Sequence, residues 1–131
     1  MLLDTNIPLL LSKNTFHLSS EIERLIPQKH SIIFLSASMK ELDYLSERNN
    51  KLSREISFAR ALVEKFELIV YDPENIKFVD DKIVQFAIEN KQNCVVVTND
   101  NELKKKLIKN EIPIIFIRKK KYLELIGKIP Y

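Results

Sequence analysis

Aspartate is scarce in this chain of 131 residues, where it occurs only at positions 4, 43, 72, 80, 81 and 100. Asp4 directly follows the apolar pair Leu2–Leu3, and Asp100 comes just after the run Cys94–Thr98. Both runs have the composition of buried strands, and the carboxyl ends of parallel strands meet at one edge of a sheet. The spacing therefore predicts that these two carboxylates lie near each other.

Three more acidic residues fall where they could join that edge. Glu41 lies in the first turns of the helix predicted after the strand Ser31–Leu35, and Asp80 and Asp81 begin another predicted helix. Clustered carboxylates repel one another and need a cation to neutralise them. Mg²⁺ and Mn²⁺ prefer oxygen ligands and bind through one or two carboxylates plus water and substrate phosphate. Such a site is suited to hydrolysis of phosphodiesters.

Each of these acids also has a structural explanation. Asp80, Asp81 and Asp100 could cap helices, and Glu41 could lie on a solvated helix face. Asp4, beside leucines in a short strand, is the hardest to explain structurally. Their joint placement, rather than any one residue, favours a metal site.

Composition excludes several other kinds of site. The chain has one glycine, Gly127, so glycine-rich phosphate loops and the G-x-S-x-G elbow of serine hydrolases are absent. Its one cysteine, Cys94, excludes an internal disulfide and a cysteine-based zinc site. The apolar run from Ile7 to Leu11 is too short for a secretory leader or a membrane span. We expect a cytoplasmic protein that makes no membrane contact.

Charge is distributed unevenly, although the formal net charge is only +3. Residues 104–128 carry nine Lys or Arg against two Glu, a balance of +7, whereas the rest of the chain stands at −4. A basic segment of this kind attracts nucleic-acid phosphates. We predict nucleic-acid contacts from Lys104, Lys105, Arg118, Lys119, Lys120 and Lys121.

Apolar runs alternate with amphipathic stretches, and no linker or repeat interrupts them. We predict strands at Leu2–Leu3, Ser31–Leu35, Leu68–Tyr71, Cys94–Val97 and Ile114–Ile117. Helices are predicted from a cap at Ser19–Ser20 to Ile26, over Ala37–Glu47 and Leu52–Phe66, from Asp80 onward, and over Asn101–Lys109 and Lys120–Ile126. This alternation predicts one domain over residues 1–131, a three-layer α/β/α sandwich with a mostly parallel sheet of about five strands.

Four ordered segments resemble the PIN-domain ribonucleases: L-L-D-T-N at Leu2–Asn6, K-E-L-D-Y-L at Lys40–Leu45, V-D-D-K-I-V at Val79–Val84, and V-V-T-N-D-N-E-L at Val96–Leu103. The resemblance covers essentially the whole chain and implies a metal-dependent endoribonuclease acting on single-stranded RNA. It implies that the carboxylates binding Mg²⁺ or Mn²⁺ are Asp4, Glu41, Asp81 and Asp100, with Asp80 as the alternative to Asp81. Small polar positions that flank the metals in this family are matched by Thr5, Asn6 and Thr98.

The resemblance leaves the biological role open. Most single PIN domains of this length are VapC-type toxins with an antitoxin partner. Here Leu103 replaces the aromatic residue common in the toxins, and the ending P-I-I-F-I-R-K-K-K-Y-L-E-L is more similar to archaeal PIN proteins related to rRNA-processing nucleases. We expect RNA processing, with a ribosome-assembly partner, and keep the toxin as the alternative.

Two further hypotheses belong to other classes. The first is a catalytically silent PIN module that binds RNA or a protein. The second, a phosphoacceptor receiver domain, is disfavoured because Asp4 comes too early for the acidic pair that receivers need at the first strand, and because the third strand, where they carry the phosphorylated aspartate, ends here in Tyr71-Asp72-Pro73. A homodimer through Leu9, Leu10 and Leu11 would suit the family, and core packing explains these leucines equally well.

Overall fold

Strands and helices alternate along the chain in a computed structural model, which describes residues 1–13, 18–48, 53–119 and 121–130. The strands are β1 (Leu2–Leu3), β2 (Ile33–Leu35), β3 (Glu67–Ile69), β4 (Val96–Val97), β5 (Ile114–Arg118) and β6 (Tyr122–Ile126). The helices are α1 (Ile7–Lys13), α2 (Leu18–Leu25), α3 (Ser36–Arg48), α4 (Ser53–Val63), α5 (Val79–Glu89) and α6 (Asn101–Lys109).

The described strands form one sheet in the order β3-β2-β1-β4-β5-β6, parallel throughout except for β6. The central strands are apolar on both faces because helices cover the sheet on both sides. Leu3 and Val97 belong to one core cluster with Phe34, whereas Leu2 and Val96 belong to a second with Ile83. The α/β fold with a mostly parallel sheet, predicted from sequence, is confirmed.

The last helix was predicted wrongly. Residues 122–126 form β6, which pairs antiparallel with β5 from Ile114↔Ile126 to Arg118↔Tyr122, so the sheet has a sixth strand. Within the segment Y-L-E-L-I, Leu123 is buried, the next two residues are half-buried and Ile126 is exposed, so the pairing with β5 rather than the burial pattern identifies the strand. Lys119, at φ 54°, belongs to the turn that joins the two strands.

Helix α2 covers the outer edge of β6. The Arg24 guanidinium donates to the Leu123 carbonyl at 2.6 Å, and the Leu123 amide donates to Glu21 Oε1 at 2.8 Å. Arg24 and Glu21 also pair with each other at 3.2 Å. An edge strand with unpaired backbone groups is open to aggregation, and here two side chains satisfy those groups.

Other predictions shift only at their ends or lie outside the described residues. Helix α2 begins at Leu18, one residue before the predicted cap at Ser19–Ser20. Lys120, predicted to contact nucleic acid, lies outside the described residues. In α1, Leu10 and Leu11 pack against the first core cluster and Leu9 against a third, small one around Leu42. Among the helices given above, none is long and apolar enough to cross a membrane.

The single glycine has a structural reason. Gly127 follows β6 at φ +97°, and a Cβ there would lie 3.1 Å from the Cα and Cβ of Pro113. Residues other than glycine rarely adopt this backbone conformation. We expect Gly127→Ala to lower the free energy of unfolding by roughly 1–2 kcal/mol, measured by urea denaturation. An unchanged urea midpoint would show that the turn relaxes without strain.

Candidate active site

The sheet order reverses direction between β1 and β4. From β1 the chain proceeds outward to β2 and β3, then returns to β4 on the other side of β1. Ligands of open α/β sheets bind beyond the carboxyl ends of strands at such a switch point. Asp4 follows β1 there, and Thr98 and Asp100 follow β4. The sequence prediction that Asp4 and Asp100 share one sheet edge is therefore confirmed in position.

Asp4 is a buried carboxylate that accepts hydrogen bonds from two donors. The residue is only 4% exposed to solvent. Oδ1 accepts from the Thr5 amide at 2.7 Å, and Oδ2 accepts from the Thr98 hydroxyl at 2.8 Å. Burial raises the pKa of Asp4 to about 6, although the Thr98 and Thr5 hydrogen bonds oppose that rise. The chain therefore keeps a desolvated acid that is charged only above mildly acidic pH.

Asp80 and Asp100 add negative charge around Asp4. Repulsion from each of them contributes to the raised pKa of Asp4. The pKa of Asp80 is raised by burial and then by Asp100, and the pKa of Glu41 is raised by burial and then by Asp80. We call Asp4, Glu41, Asp80 and Asp100 the carboxylate cluster.

The neighbouring aspartate has a different environment. Asp81 Oδ1 accepts from Lys106 Nζ on α6 at 2.8 Å, and its side chain is 42% exposed. Its charge acts on Asp80 but is not among the causes that raise the pKa of Asp4 or Glu41. Of the two candidates named from sequence, Asp80 is therefore the one coupled to the rest of the cluster.

Asp100 also caps a helix. Its Oδ1 accepts from the Leu103 amide at 2.9 Å at the N-terminus of α6. This is the helix-capping role that the sequence offered as the structural explanation of Asp100. A carboxylate has two oxygens, so this bond is compatible with a second role for Oδ2. The preceding Asn99 fixes the segment, because its side chain bonds both the carbonyl and the amide of Ile117 on β5, at 3.1 and 2.7 Å.

Two clefts flank the cluster. The α1 cleft, of about 330 Å³, is lined by Asp4, Asn6, Leu9, Leu10, Asn99 and Asp100. The α5 cleft, of about 420 Å³, is lined by Glu41, Phe78, Val79, Asp80, Asp81 and Lys106. A larger cavity of about 460 Å³ lies at the opposite end of the strands, around Met1 and Ser31, and none of the described residues lining it is acidic. The clefts beside the carboxylates are therefore the candidate site.

The donor set suits a hard divalent cation bound partly through water. Among the described residues, no group of three or more His, Cys, Asp or Glu side chains is arranged to hold a metal ion by itself. Mg²⁺ commonly binds through one or two carboxylates and keeps several waters. The buried hydroxyl of Thr5, whose amide bonds Asp4, has no hydrogen-bond partner, and such an orphaned oxygen could bond to water. Carboxylates with raised pKa values and an unsatisfied hydroxyl fit a hydrated cation.

Several residues of these clefts were not predicted from sequence. Asn99 and Lys106 lie in predicted elements or motifs, but the sequence pattern assigns no role to either residue. Phe78, which lines the α5 cleft, was assigned no role from sequence either. Lys106 reaches the α5 cleft from α6, so its place depends on how that helix rotates against the sheet, which the sequence pattern does not give.

The basic residues predicted to contact nucleic acid have varied surroundings. Lys104 Nζ lies 4.2 Å from the centroid of the Phe116 ring. Lys105 pairs with Glu102 at 3.6 Å, and Arg118 pairs with Glu124 at 2.6 Å. Lys119 and Lys121 are exposed. All five lie on α6, β5 or the turn after it, and their nucleic-acid contacts stay a prediction.

Thr98 is expected to control the charge of Asp4. Replacing it by the isosteric valine removes the donor to Asp4 Oδ2 and the acceptor of the Asp100 amide, which lies 3.1 Å from Thr98 Oγ1. Thr98→Val should therefore raise the pKa of Asp4 further and lower the free energy of unfolding by about 1 kcal/mol. An NMR titration of the Asp4 carboxyl carbon measures the pKa. Thr98→Ser, which keeps the hydroxyl, is the control, and equal titrations in both variants would contradict the assignment.

Comparison with known proteins identifies the family. The model of the PIN like domain family matches residues 1–120. The chain belongs to the PIN-domain family. The resemblance inferred from the four sequence segments is thereby confirmed.

Two known PIN-domain proteins resemble the whole chain. Ribonuclease VapC4 of Methanocaldococcus jannaschii is 34% identical over 129 residues, which is 96% of this chain and 95% of that protein. The solved structure of the PIN domain endonuclease Utp24 superposes with a TM-score of 0.75 at 24% identity, covering 98% of this chain and 92% of that one. At this identity the Utp24 match supports the PIN-domain fold.

Proposed function

We propose that this PIN domain is a metal-dependent endoribonuclease that cleaves single-stranded RNA at the carboxylate cluster. The observation that carries the proposal is the set of mutually repelling acids at the switch point, with raised pKa values at Asp4, Glu41 and Asp80. Folding alone does not favour such a set, because desolvated like charges are destabilising. Similarity over nearly the whole chain to a protein named Ribonuclease VapC4 supports the same activity.

Asp4 and Asp100 are the proposed direct ligands of Mg²⁺ or Mn²⁺, because they follow adjacent strands and their charges interact. Glu41 and Asp80 complete the site from α3 and α5. We propose Asp80 in place of Asp81, since Asp80 is coupled to both Asp4 and Glu41. When bound, a divalent ion supplies a nucleophile from water and neutralises the charge that develops on the phosphate.

The protein groups would orient these parts and handle the proton. Thr98 holds Asp4 Oδ2, and the Thr5 amide holds Oδ1, so the carboxylate has one fixed orientation. Glu41, half-buried and with a raised pKa, is suited to accept a proton from water. Asn6, in the α1 cleft, and the orphaned Thr5 hydroxyl are proposed to bond to water around the cation.

The basic residues along α6 and the β5–β6 turn would bind the phosphate backbone. Lys104, Lys105, Lys119, Lys121 and Arg118 stay proposed RNA contacts, together with Lys120. Their attraction is electrostatic, so binding should weaken as salt concentration rises. These contacts position the strand without selecting a sequence.

The biological role has two candidates. Identity to Ribonuclease VapC4 over nearly the full length favours the toxin hypothesis, in which an antitoxin partner restrains the nuclease. The RNA-processing hypothesis, first favoured from sequence, rests on the segments around Asp100 and the C-terminal end. Expression of the chain without neighbouring genes distinguishes them, because a toxin arrests growth and its Asp100→Asn variant does not. A homodimer stays a prediction.

The test of the activity is cleavage of an end-labelled single-stranded RNA with Mg²⁺ or Mn²⁺. We expect cleavage by the wild-type protein, its loss with EDTA, and its restoration by excess Mn²⁺. Asp100→Asn should lose activity, whereas Asp43→Asn should keep it, because Asp43 forms an exposed ion pair with Arg60 away from the cluster. Cleavage that ignores EDTA, or that survives Asp100→Asn, would refute the proposal.

A further inference from the structure

Phe78 is an exposed aromatic residue beside the carboxylate cluster. It is 62% exposed, and it lines the α5 cleft together with Glu41 and Asp80. The Lys77 ammonium lies 5.4 Å from the centroid of its ring. A large apolar side chain at the mouth of a charged cleft contributes little to the core, so its position calls for another explanation.

Helix capping does not explain it. Phe78 is the N-cap residue of α5, with extended backbone at φ −96° and ψ 141°, and its side chain forms no cap hydrogen bond. Ser, Thr, Asp and Asn are strongly preferred at this position because their oxygens accept from the first amides of the helix. Phe78 therefore contributes no capping hydrogen bond to α5, and its ring is exposed.

We propose that Phe78 is a stacking platform for a nucleobase of the RNA strand as the strand enters the α5 cleft. The proposal rests on the proposed ribonuclease function and adds a residue that selects unpaired nucleotides. An aromatic face stacks with any base, but only when the base is not already stacked within a duplex. Phosphates next to that base would then lie near Lys77 and Lys106, two cations adjoining the ring and the cleft.

This arrangement makes Phe78 a positioning residue. Its ring would hold one base while the neighbouring phosphate reaches Asp80 and Glu41. Preference for single strands would then come from the ring, whereas affinity for phosphate would come from lysines. These two contributions respond differently to salt and to removal of bases.

Binding in the absence of cleavage tests the proposal. In an Asp4→Asn background, which leaves the RNA intact, Phe78→Ala should weaken binding of a short mixed-sequence single-stranded RNA by roughly tenfold. Binding of the same RNA as a duplex, and of an abasic oligomer of equal length, should change less than about twofold. The slope of log K against log salt should stay the same, because no phosphate contact is lost. Phe78→Tyr should restore binding.

A spectroscopic readout is available because the chain contains no tryptophan. In the same background, Phe78→Trp introduces the only indole, and its fluorescence should be quenched on titration with single-stranded RNA but not with the abasic oligomer. Phe58, which is 52% exposed on α4 and is absent from the described lining of both clefts, provides the matched controls Phe58→Ala and Phe58→Trp. Neither control should alter binding or show quenching.

Several outcomes would overturn the proposal: unchanged RNA binding by Phe78→Ala, equal weakening for the abasic oligomer, or an unquenched indole at saturation. So would a Phe78→Ala variant that binds RNA normally but loses a protein partner. Failure of the proposed function would give a different result, because a wild-type protein that never cleaves RNA could still bind it through Phe78. Because the Phe78 side chain is exposed, replacing it should not misfold the protein. A thermal melt verifies that any loss of RNA binding is not due to misfolding.

Discussion

Replacing Asp4 by asparagine is expected to abolish RNA cleavage and, in the same molecule, to increase stability at pH 7.5 without metal. Cleavage should fall by roughly 100-fold or more, because the variant loses a proposed ligand at the centre of the cluster. Stability should rise because the wild-type protein carries a desolvated carboxylate there, only 4% exposed and beside Asp80 and Asp100. Single-turnover cleavage and thermal unfolding in EDTA measure the two effects.

The pH dependence gives the sign and the size of the second effect. The pKa of Asp4 is about 6 in the folded protein against an ordinary value of 3.8, so the folded state binds the proton more tightly. Its contribution to stability is fully present below pH 3.8 and is lost as pH rises toward and through 6. The difference corresponds to roughly 3 kcal/mol, of which the neutral asparagine should recover a part. The stability gain of Asp4→Asn should therefore vanish near pH 4.

Asp43→Asn serves as the matched control for this prediction. Asp43 forms an ion pair with Arg60, and about half of each side chain is exposed, so its loss should change stability by less than about 1 kcal/mol. Cleavage by this variant should match the wild type. An Asp4→Asn protein that is less stable than wild type at pH 7.5 would mean that the two hydrogen bonds outweigh the desolvation of the charge.

A stability gain in Asp4→Asn would also show that the carboxylate cluster destabilises the folded protein when no metal is bound. Acids that are mutually repelling and partly buried become favourable only when a cation neutralises them. Addition of Mn²⁺ should therefore stabilise the wild-type protein more than the Asp4→Asn variant. This comparison tests metal binding without any RNA present.

The positions of Asp4 and Asp100 could be predicted from sequence because they depend on topology alone. Each follows a short apolar run, and parallel strands bring their carboxyl ends to one edge. Register adds the detail: Leu3 lies beside Val97, so the next residues, Asp4 and Thr98, are close enough for a hydrogen bond. No information about helix rotation was needed.

The final segment shows where sequence pattern is insufficient. In Y-L-E-L-I, apolar residues flank one glutamate, and both a short helix and a strand accommodate that pattern. What decides in favour of β6 is distant in sequence: the open edge of β5, and the Glu21 and Arg24 side chains that bond the backbone of Leu123. Tertiary partners, not local propensity, select the strand.

The sequence leaves the choice between Asp80 and Asp81 open for a geometric reason. Successive helical residues point about 100° apart, and both aspartates precede the same apolar face of α5. Which one points to the cluster depends on how α5 rotates against the sheet and α6. Lys106 belongs to that answer, because its ammonium pairs with Asp81, while its charge also acts on Asp80 and lowers the pKa of Asp80 against burial and Asp100.

The two aspartates should therefore differ sharply in function. Asp80→Asn is expected to lower the single-turnover rate of cleavage by roughly 100-fold, whereas Asp81→Asn should change it by only a few-fold. The reason is that Asp80 interacts with the charges of both Asp4 and Glu41, while Asp81 is paired with Lys106 and 42% exposed. Because the substitutions are identical and adjacent in one helical turn, each is the control for the other.

A second measurement separates a role in the cluster from a general effect on α5. Asp80→Asn removes a charge that raises the pKa of Asp4 and Glu41, so both carboxyls should titrate at lower pH by NMR. Asp81→Asn should leave both titrations unchanged, since its charge contributes to neither. If Asp81→Asn proves the more damaging variant and shifts Asp4, then Lys106 must release Asp81 to the cation, and the assignment implied by the family resemblance is the correct one.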